Sequence, residues 1–427
     1  VRVNMAGVAV YTVGCKVNQA ESDELRAGLQ DAGHDIVRLP AIADLCVVNT
    51  CTVTAESDRK CRKLIRWLAR RGARAIVVAG CYAEVRPGDL ETLPGVLRVL
   101  PNARKDGWLR EITSMLPEGG CGSREPETRR TRSFIKVQDG CERACSYCIV
   151  PLARGKERSR PVGEIMHEAT RCIATGSHEL VLCGINLGRY SQGTGRDLGY
   201  LVREVLSAGD GYRVRLSSIE LEDLHIAWLR DWAGSDRICP HLHIPLQSGD
   251  DAILRDMGRG YTAEDFKALA GSLRAIWPEA SLTTEVIVGY PGEDDEAFRR
   301  TVEVLSQVRP ARVHVFRFSP RPGTRAWSRK DASDHVETEL RSGILRELAE
   351  EWRLGYIEER GGELRDLLVE EVVVREGSAI ARGTTEDFIK GTLFSVPSGI
   401  AAGEIVSCEI CGVTGGRARL EAVEGNA

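Results

Sequence analysis

Short apolar runs alternate with amphipathic ones along the first 117 residues. Val8–Val13, Asp44–Asn49 and Ala75–Ala79 are apolar at successive positions and rich in β-branched residues, as strands buried on both faces are. Between them, Gln19–Ala32 and Ala55–Arg71 carry apolar residues at helical spacing. In the second, Cys61, Leu64, Ile65 and Leu68 form one stripe, and Arg59, Lys63, Arg66 and Arg70 line another. This alternation predicts an α/β fold, a doubly wound parallel sheet with helices on its faces. Pro117–Arg132 has no periodicity and is rich in Gly, Pro and charge, so it reads as a linker. Six further strand-like runs follow: Phe134–Gln138, Glu179–Cys183, Arg213–Ser217, His241–Leu246, Leu282–Val288 and Arg312–Phe318. Helical spacers such as Val162–Thr175 and Ala263–Ile276 separate most of them, which predicts a partial (βα)6 barrel rather than a closed eight-stranded one. A long polar helix, about His335–Glu359, closes the region. Beyond Gly361 the helical pattern stops. Leu367–Val374, Thr392–Val396 and Ile405–Ile410 predict a small C-terminal all-β barrel of OB-like rhythm. The expected domains are therefore 1–117, a linker at 118–132, a core at 133–360 and a β domain at 361–427.

Charge and composition narrow the function. A net charge of −4 over 427 residues excludes a molecule that is basic throughout, so a nucleic-acid surface must be a local patch. No stretch approaches the ~18 uninterrupted apolar residues of a membrane span. Val1–Val13 lacks the apolar core and cleavage site of a signal peptide, and a cytoplasmic location is expected. Fourteen cysteines are many for a reducing compartment, which points some of them to metal or redox work.

Three of those cysteines lie within eight residues, Cys141-Glu142-Arg143-Ala144-Cys145-Ser146-Tyr147-Cys148, directly after a predicted strand. Thiolates at this spacing can hold three irons of a 4Fe–4S cube from one loop. The fourth iron is then open, which distinguishes a catalytic cluster from an electron-transfer one. A zinc half-site or three core thiols is the alternative, but zinc would want a fourth ligand nearby. Cys15, Cys51 and Cys81 each follow a predicted strand of the N-terminal domain by one or two residues. Strand ends meet along one edge of a doubly wound sheet, so these three would converge and hold a second open cluster. Cys46, inside a strand, and Cys61, on the apolar stripe, read as buried small hydrophobes. Cys408 and Cys411 resemble a zinc half-site, but positions three apart in a strand face opposite ways, so they read as unligated thiols. Cys121, Cys172 and Cys239 are left unassigned.

The spacing of the first set, with Tyr147 before its last cysteine, resembles the radical S-adenosylmethionine (SAM) superfamily signature. Gly14-Cys15-Lys16-Val17-Asn18-Gln19, Asn49-Thr50-Cys51-Thr52-Val53 and Gly80-Cys81-Tyr82-Ala83 are similar to the three cysteine motifs of the radical SAM methylthiotransferases. The likeness continues through Gln138-Asp139-Gly140-Cys141 to Arg160, Leu216-Ser217-Ser218-Ile219-Glu220, His243-Ile244-Pro245-Leu246-Gln247-Ser248-Gly249 and Gly289-Tyr290-Pro291-Gly292-Glu293. Leu221 and Glu285 depart from it, standing where the family usually shows Pro and Asp.

The resemblance implies two 4Fe–4S clusters and SAM as cofactors, with Cys15, Cys51 and Cys81 on the auxiliary cluster and Cys141, Cys145 and Cys148 on the SAM cluster. It also implies a C-terminal TRAM domain that binds RNA, and an electron donor such as flavodoxin or ferredoxin. Tyr147, Gly184, Asn186, Ser217, Glu220 and Gln247 are the expected SAM contacts. Arg154, Lys156, Arg158 and Arg160 crowd the segment after the cluster loop and are the expected RNA contacts, since an anionic backbone is drawn to such a run. The Cys-Lys-Val-Asn reading resembles the branch that methylthiolates C2 of N6-threonylcarbamoyladenosine in tRNA, 3′ of the anticodon. The branch acting on isopentenyl-adenosine tends to show Gln-Met after that cysteine, and the ribosomal-protein branch Pro-Lys. A non-catalytic iron–sulfur RNA-binding redox sensor is the alternative outside the enzymes.

Overall fold

The computed structural model of the chain describes residues 6–116, 131–193, 195–329, 331, 334–375, 378–397 and 399–423. Most of the expected linker, with Cys121, lies outside them. The chain packs into two compact units. One draws on residues 1–129, 138–158 and 319–328, the other on 130–137, 159–318 and 329–427.

The first unit is built on a parallel five-stranded sheet. Its strands β1 (Gly7–Thr12), β2 (Asp35–Ile36), β3 (Leu45–Thr50), β4 (Ile76–Gly80) and β5 (Val96–Pro101) lie in the order β2-β1-β3-β4-β5. Alternate residues serve opposite faces. Val8, Val10, Val47, Val77 and Ala79 pack with Leu25 and Leu29 of helix α1 (Lys16–Asp31). Ala9, Cys46, Val48, Ile76 and Val78 pack with Cys61, Ile65 and Leu68 of helix α2 (Ala55–Arg70). Both faces are covered, which is why the strands read as unbroken apolar runs. Helix α2 starts where Thr54 accepts a hydrogen bond from the Ser57 amide at 3.1 Å, and Glu56 and Asp58 complement its N-terminal dipole. Cys46 and Cys61 are core residues, as expected.

In the second unit, the six expected strands are all present and parallel. Arg213–Leu216, Glu179–Cys183 and Ser133–Lys136 form one sheet; His241–His243, Ser281–Val288 and Arg312–Arg317 form another. A parallel bridge between Ser218 and His243 links the end of the first to the second. Helices Val162–Ala174 and Ala263–Ile276 help bury their apolar faces around one core. The helix His335–Glu358 leads into a separate C-terminal β domain. There Leu364–Arg375 pairs with both Ser378–Thr385 and Ile405–Thr414; Lys390–Leu393 and Arg417–Ala422 complete a ring of pairings in which every strand has two neighbours. Among the described residues, no helix is long and apolar enough to cross a membrane.

Candidate active site

Cys15, Cys51 and Cys81 sit just beyond the C-terminal ends of β1, β3 and β4, three adjacent strands. Cys15 is the exposed residue at the N-cap of α1; Cys51 and Cys81 are buried, Cys81 opening the short helix α3 (Cys81–Val85). The loops press together. Gly14 has φ +136°, and a Cβ built on it would stand 2.8 Å from the Cys51 Cβ, so only glycine lets the Cys15 loop cross there. Asn18 fastens α1 to the end of β3 by donating to Asn49 Oδ1 at 3.1 Å and to the Thr50 carbonyl at 2.9 Å. Its own Oδ1 accepts from the Cys15 thiol at 3.2 Å. The Thr50 hydroxyl donates to the Ala79 carbonyl at 2.6 Å, joining the ends of β3 and β4.

Burial pushes the Cys51 thiol up and the Cys81 thiol up to about 12, while the Arg154 guanidinium pulls both back. Cys51 also feels the charge of Cys15, and Cys81 feels that of both other cysteines at these strand ends. Among the described residues, no three His, Cys, Asp or Glu side chains gather at the spacing of a single metal ion. A cubane offers its irons at separate corners, so thiolates that bind three different irons stay apart. Three soft sulfur donors and one buried cation fit such a group, whose binding would remove the thiol protons.

The loop of Cys141, Cys145 and Cys148 belongs to the same unit, and all three side chains are partly accessible. Backbone bonds shape it. Cys141 donates its amide to the Gly155 carbonyl at 3.1 Å, Cys148 to the Cys145 carbonyl at 3.1 Å, and Ala326 to the Ser146 carbonyl at 2.8 Å. The Arg143 amide points at the Cys141 sulfur at 3.4 Å, the kind of contact that steadies a metal-bound thiolate. Tyr147 is half-buried between Ser146 and Cys148.

The other expected SAM contacts lie in the second unit, beyond its strand ends. Gly184 and Asn186 follow Glu179–Cys183, Ser217 and Glu220 follow Arg213–Leu216, and Gln247 follows His241–His243. Ser217 Oγ and Gln247 Oε1 are buried without a hydrogen-bond partner among the described residues. Gln247 also holds a left-handed backbone, φ +67°, a strained conformation for a side chain of this size. Orphaned polar atoms on a strained strand end are what a polar ligand would satisfy. Glu220 is ion-paired with the buried Arg259, so its carboxylate is already engaged.

Arg154 corrects an expectation. Read from sequence as an RNA contact, it is buried, with ion pairs to Glu21 at 3.0 Å and Asp139 at 2.8 Å, and it offers no cation to an RNA phosphate. Lys156 and Arg158 are exposed. Arg160 is half-buried and paired with Glu168 at 2.6 Å. Cys408 is buried and Cys411 exposed, on opposite sides of one strand as expected. Several site residues had not been singled out from sequence: Glu21, Lys105, Asp139 and Arg321. Arg321 donates to Thr52 at 2.7 Å and pairs with Asp58 at 2.6 Å, bracing the turn after Cys51. Asn18 and Asp139 did lie in quoted motifs. Glu21 and Lys105 carried no signal beyond the position of Glu21 on the inner side of α1.

A cysteine loop after a strand of a parallel α/β core defines the class, and the comparison agrees: residues 135–305 match the family model described as the radical SAM superfamily. Residues 7–100 match Uncharacterized protein family UPF0004. The chain is 37% identical over 90% of its length, and 91% of the relative's, to the threonylcarbamoyladenosine tRNA methylthiotransferase MtaB of Thermotoga maritima. It is 30% identical over 87% of its length, and 85% of the relative's, to the tRNA-2-methylthio-N(6)-dimethylallyladenosine synthase of Syntrophus aciditrophicus. Among solved structures, the radical SAM methyltransferase TsrM of Kitasatospora setae has the same fold at a TM-score of 0.56 with 14% identity, over 76% of this chain and 77% of that one. The chain belongs to the radical SAM methylthiotransferase family, with strong homology to its MtaB-type members. Membership implies SAM and iron–sulfur chemistry.

Proposed function

We propose that this chain transfers a methylthio group to C2 of N6-threonylcarbamoyladenosine in tRNA, on the nucleoside 3′ of the anticodon. The observation that carries the reading is the meeting of Cys15, Cys51 and Cys81 at three adjacent strand ends, in a chain so similar to proteins named for that reaction. Cys15, Cys51 and Cys81 hold the auxiliary 4Fe–4S cluster, and Cys141, Cys145 and Cys148 the SAM cluster. Together with SAM and an electron from a donor such as flavodoxin or ferredoxin, these groups supply the radical and the sulfur. The chain's residues divide the remaining work. Gly184, Asn186, Ser217 and Gln247 of the second unit contact SAM, and the orphaned Ser217 and Gln247 oxygens support that role. Lys156 and Arg158 meet tRNA phosphates, and the threonylcarbamoyl carboxylate pairs with an arginine or lysine beside the site.

Three domains follow: the auxiliary-cluster domain at 1–117, a six-stranded partial barrel at 133–360, and an OB-like TRAM domain at 361–427 that holds RNA, with 118–132 between the first two. The six parallel strands and the ring-paired C-terminal strands support this division.

Anaerobic reconstitution should give about eight irons per chain, twice the four of one cubane. The triple variant Cys15→Ala, Cys51→Ala, Cys81→Ala should lose half of them, still cleave SAM under dithionite, and form no methylthio product. Nucleoside mass spectrometry should show product on tRNA bearing threonylcarbamoyladenosine and none on tRNA bearing isopentenyl-adenosine. The reverse preference, or a modified ribosomal protein, would overturn the substrate. A protein that never cleaves SAM would be a sensor instead.

A further inference from the structure

Four charged side chains are buried beside the cysteine loops of the first unit. Side-chain exposure is 1% for Arg154, 4% for Glu21 and 8% for both Asp139 and Lys105. Arg154 Nη1 donates to Glu21 Oε1 at 3.0 Å and Asp139 Oδ1 at 2.8 Å. Its Nη2 donates to Glu21 Oε2 at 3.1 Å and Asn18 Oδ1 at 2.9 Å. Lys105 Nζ donates to Glu21 Oε1 at 3.2 Å and also to Asp139. Among these described side chains, two cations thus face two carboxylates.

The network touches both cysteine sets through short stretches of chain. Asp139 precedes Cys141 by two residues, and Arg154 follows Cys148 by six. Asn18, which Arg154 holds, takes the Cys15 thiol hydrogen bond. Arg154 is also the cation whose field reaches Cys15, Cys51 and Cys81 together. A plain fastening role does not require such groups, because apolar packing of the same volume holds loops at no cost in desolvation. What charge adds here is a field at the sulfurs.

Building on the two-cluster reading, we propose that Arg154, held between Glu21 and Asp139, is a positioning residue that sets the reduction potential of the cluster on Cys15, Cys51 and Cys81. Reduction adds one electron and one negative charge to a thiolate-bound cluster. A fixed cation beside it favours that form and raises the potential, and a carboxylate does the opposite. The Glu21–Asp139–Arg154–Lys105 set keeps these effects in balance, and through Asp139 and Arg154 it ties that balance to the loop of the SAM cluster. Arg154→Gln leaves the set one charge more negative, whereas Glu21→Gln leaves it one charge more positive. The two substitutions therefore act in opposite directions, which a loss of packing would not produce.

The test is a dithionite titration of the anaerobically reconstituted full-length chain, followed by electron paramagnetic resonance. The auxiliary signal is the one that added SAM leaves unchanged and that persists when Cys141, Cys145 and Cys148 are replaced by Ala. Arg154→Gln should move its midpoint to a more negative potential, Glu21→Gln to a more positive one, and Arg154→Lys should stay near the parent value. Shifts in the same direction, or no shift with full iron present, overturn the proposal. If Arg154→Gln fails to fold, Glu21→Gln decides alone, since its amide keeps the size and an acceptor; an unmoved midpoint there overturns it. A parent chain that binds only about four irons removes the two-cluster reading itself, a result distinct from full iron with fixed potentials.

Discussion

Single residues carry the exactness of the cluster loops, and Gly140 shows how. It has φ +72°, and a Cβ there would stand 1.9 Å from the Lys156 carbonyl oxygen, a backbone atom that cannot step aside. Its amide also donates to Asp139 Oδ1 at 2.8 Å, which ties this turn to the buried carboxylate. Gly140→Ala should therefore displace Cys141 and cost the SAM cluster, lowering reconstituted iron from about eight per chain to about four. Gly163→Ala, where nothing lies within 4 Å of the added carbon, is the control and should keep full iron. Full iron in Gly140→Ala would show that the loop tolerates a shifted backbone. That Cys15, Cys51 and Cys81 follow strand ends was legible in the sequence because apolar runs mark the strands before them. The buried charges were not. Glu21, Lys105 and Arg154 are residue types that normally face water, and only the folded chain shows that they neutralise one another.

At the scale of elements, apolar runs gave most strands within a residue or two, and helix Ala263–Ile276 matched its expected bounds. Besides the two-residue strands Asp35–Ile36 and Arg158–Ser159, three strands among the described residues escaped. Val96–Pro101 is half-exposed, with Leu97 60% accessible, so it lacks the unbroken apolar run of its neighbours. Ser378–Thr385 contains Gly383 and two threonines, and Arg417–Ala422 alternates charge with small apolar residues. Both are held by their neighbours in the ring of pairings rather than by their own propensity. The turn after Ser378–Thr385 carries a testable ionisation. Burial, then the charge of Asp387, raises the Glu386 carboxyl from 4.5 to about 7, against the weaker pull of Arg213 at 3.9 Å. The folded chain thus binds this proton more tightly than the unfolded one. The stability it contributes is complete below pH 4.5 and is lost as pH rises through about 7. The full shift corresponds to about 3 kcal/mol. Glu386→Gln should therefore gain on the parent chain between pH 5 and pH 8 in denaturant titrations. An equal difference at both pH values would show that Glu386 titrates normally.

For the whole molecule, a net charge of −4 sits on a chain that draws several arginines, among them Arg132, Arg154, Arg213 and Arg215, into internal ion pairs, so an RNA surface must use outward cations such as Lys156 and Arg158. One such commitment joins the C-terminal β domain to the core of its unit. Glu179 is fully buried and pairs with Arg132 at 2.7 Å and with Arg213 and Arg215 at 2.8 Å each. The two latter guanidinium groups reach on to the β domain, where Arg213 donates to the Asp366 carbonyl at 2.8 Å and Arg215 to the Glu386 and Thr385 carbonyls at 2.9 and 3.0 Å. Burial alone would raise the Glu179 carboxyl, but Arg215 and Arg213 overcome it and hold it well below the ordinary range. A depressed value means stability that is present above the unfolded carboxylate pKa near 4.5 and lost as pH falls below it. Glu179→Ala strands buried cations without their counter-charge, which typically costs about 3–5 kcal/mol. Because those cations also hold the Asp366, Thr385 and Glu386 carbonyls, the loss should appear first as loosening of the β domain. Limited proteolysis should cut residues 361–427 faster in Glu179→Ala than in the parent chain, while the iron held by the cysteines of the first unit stays unchanged. Equal cleavage rates would mean that the aromatic stack of His241 on Phe388 and the remaining contacts hold the β domain without the charge cluster.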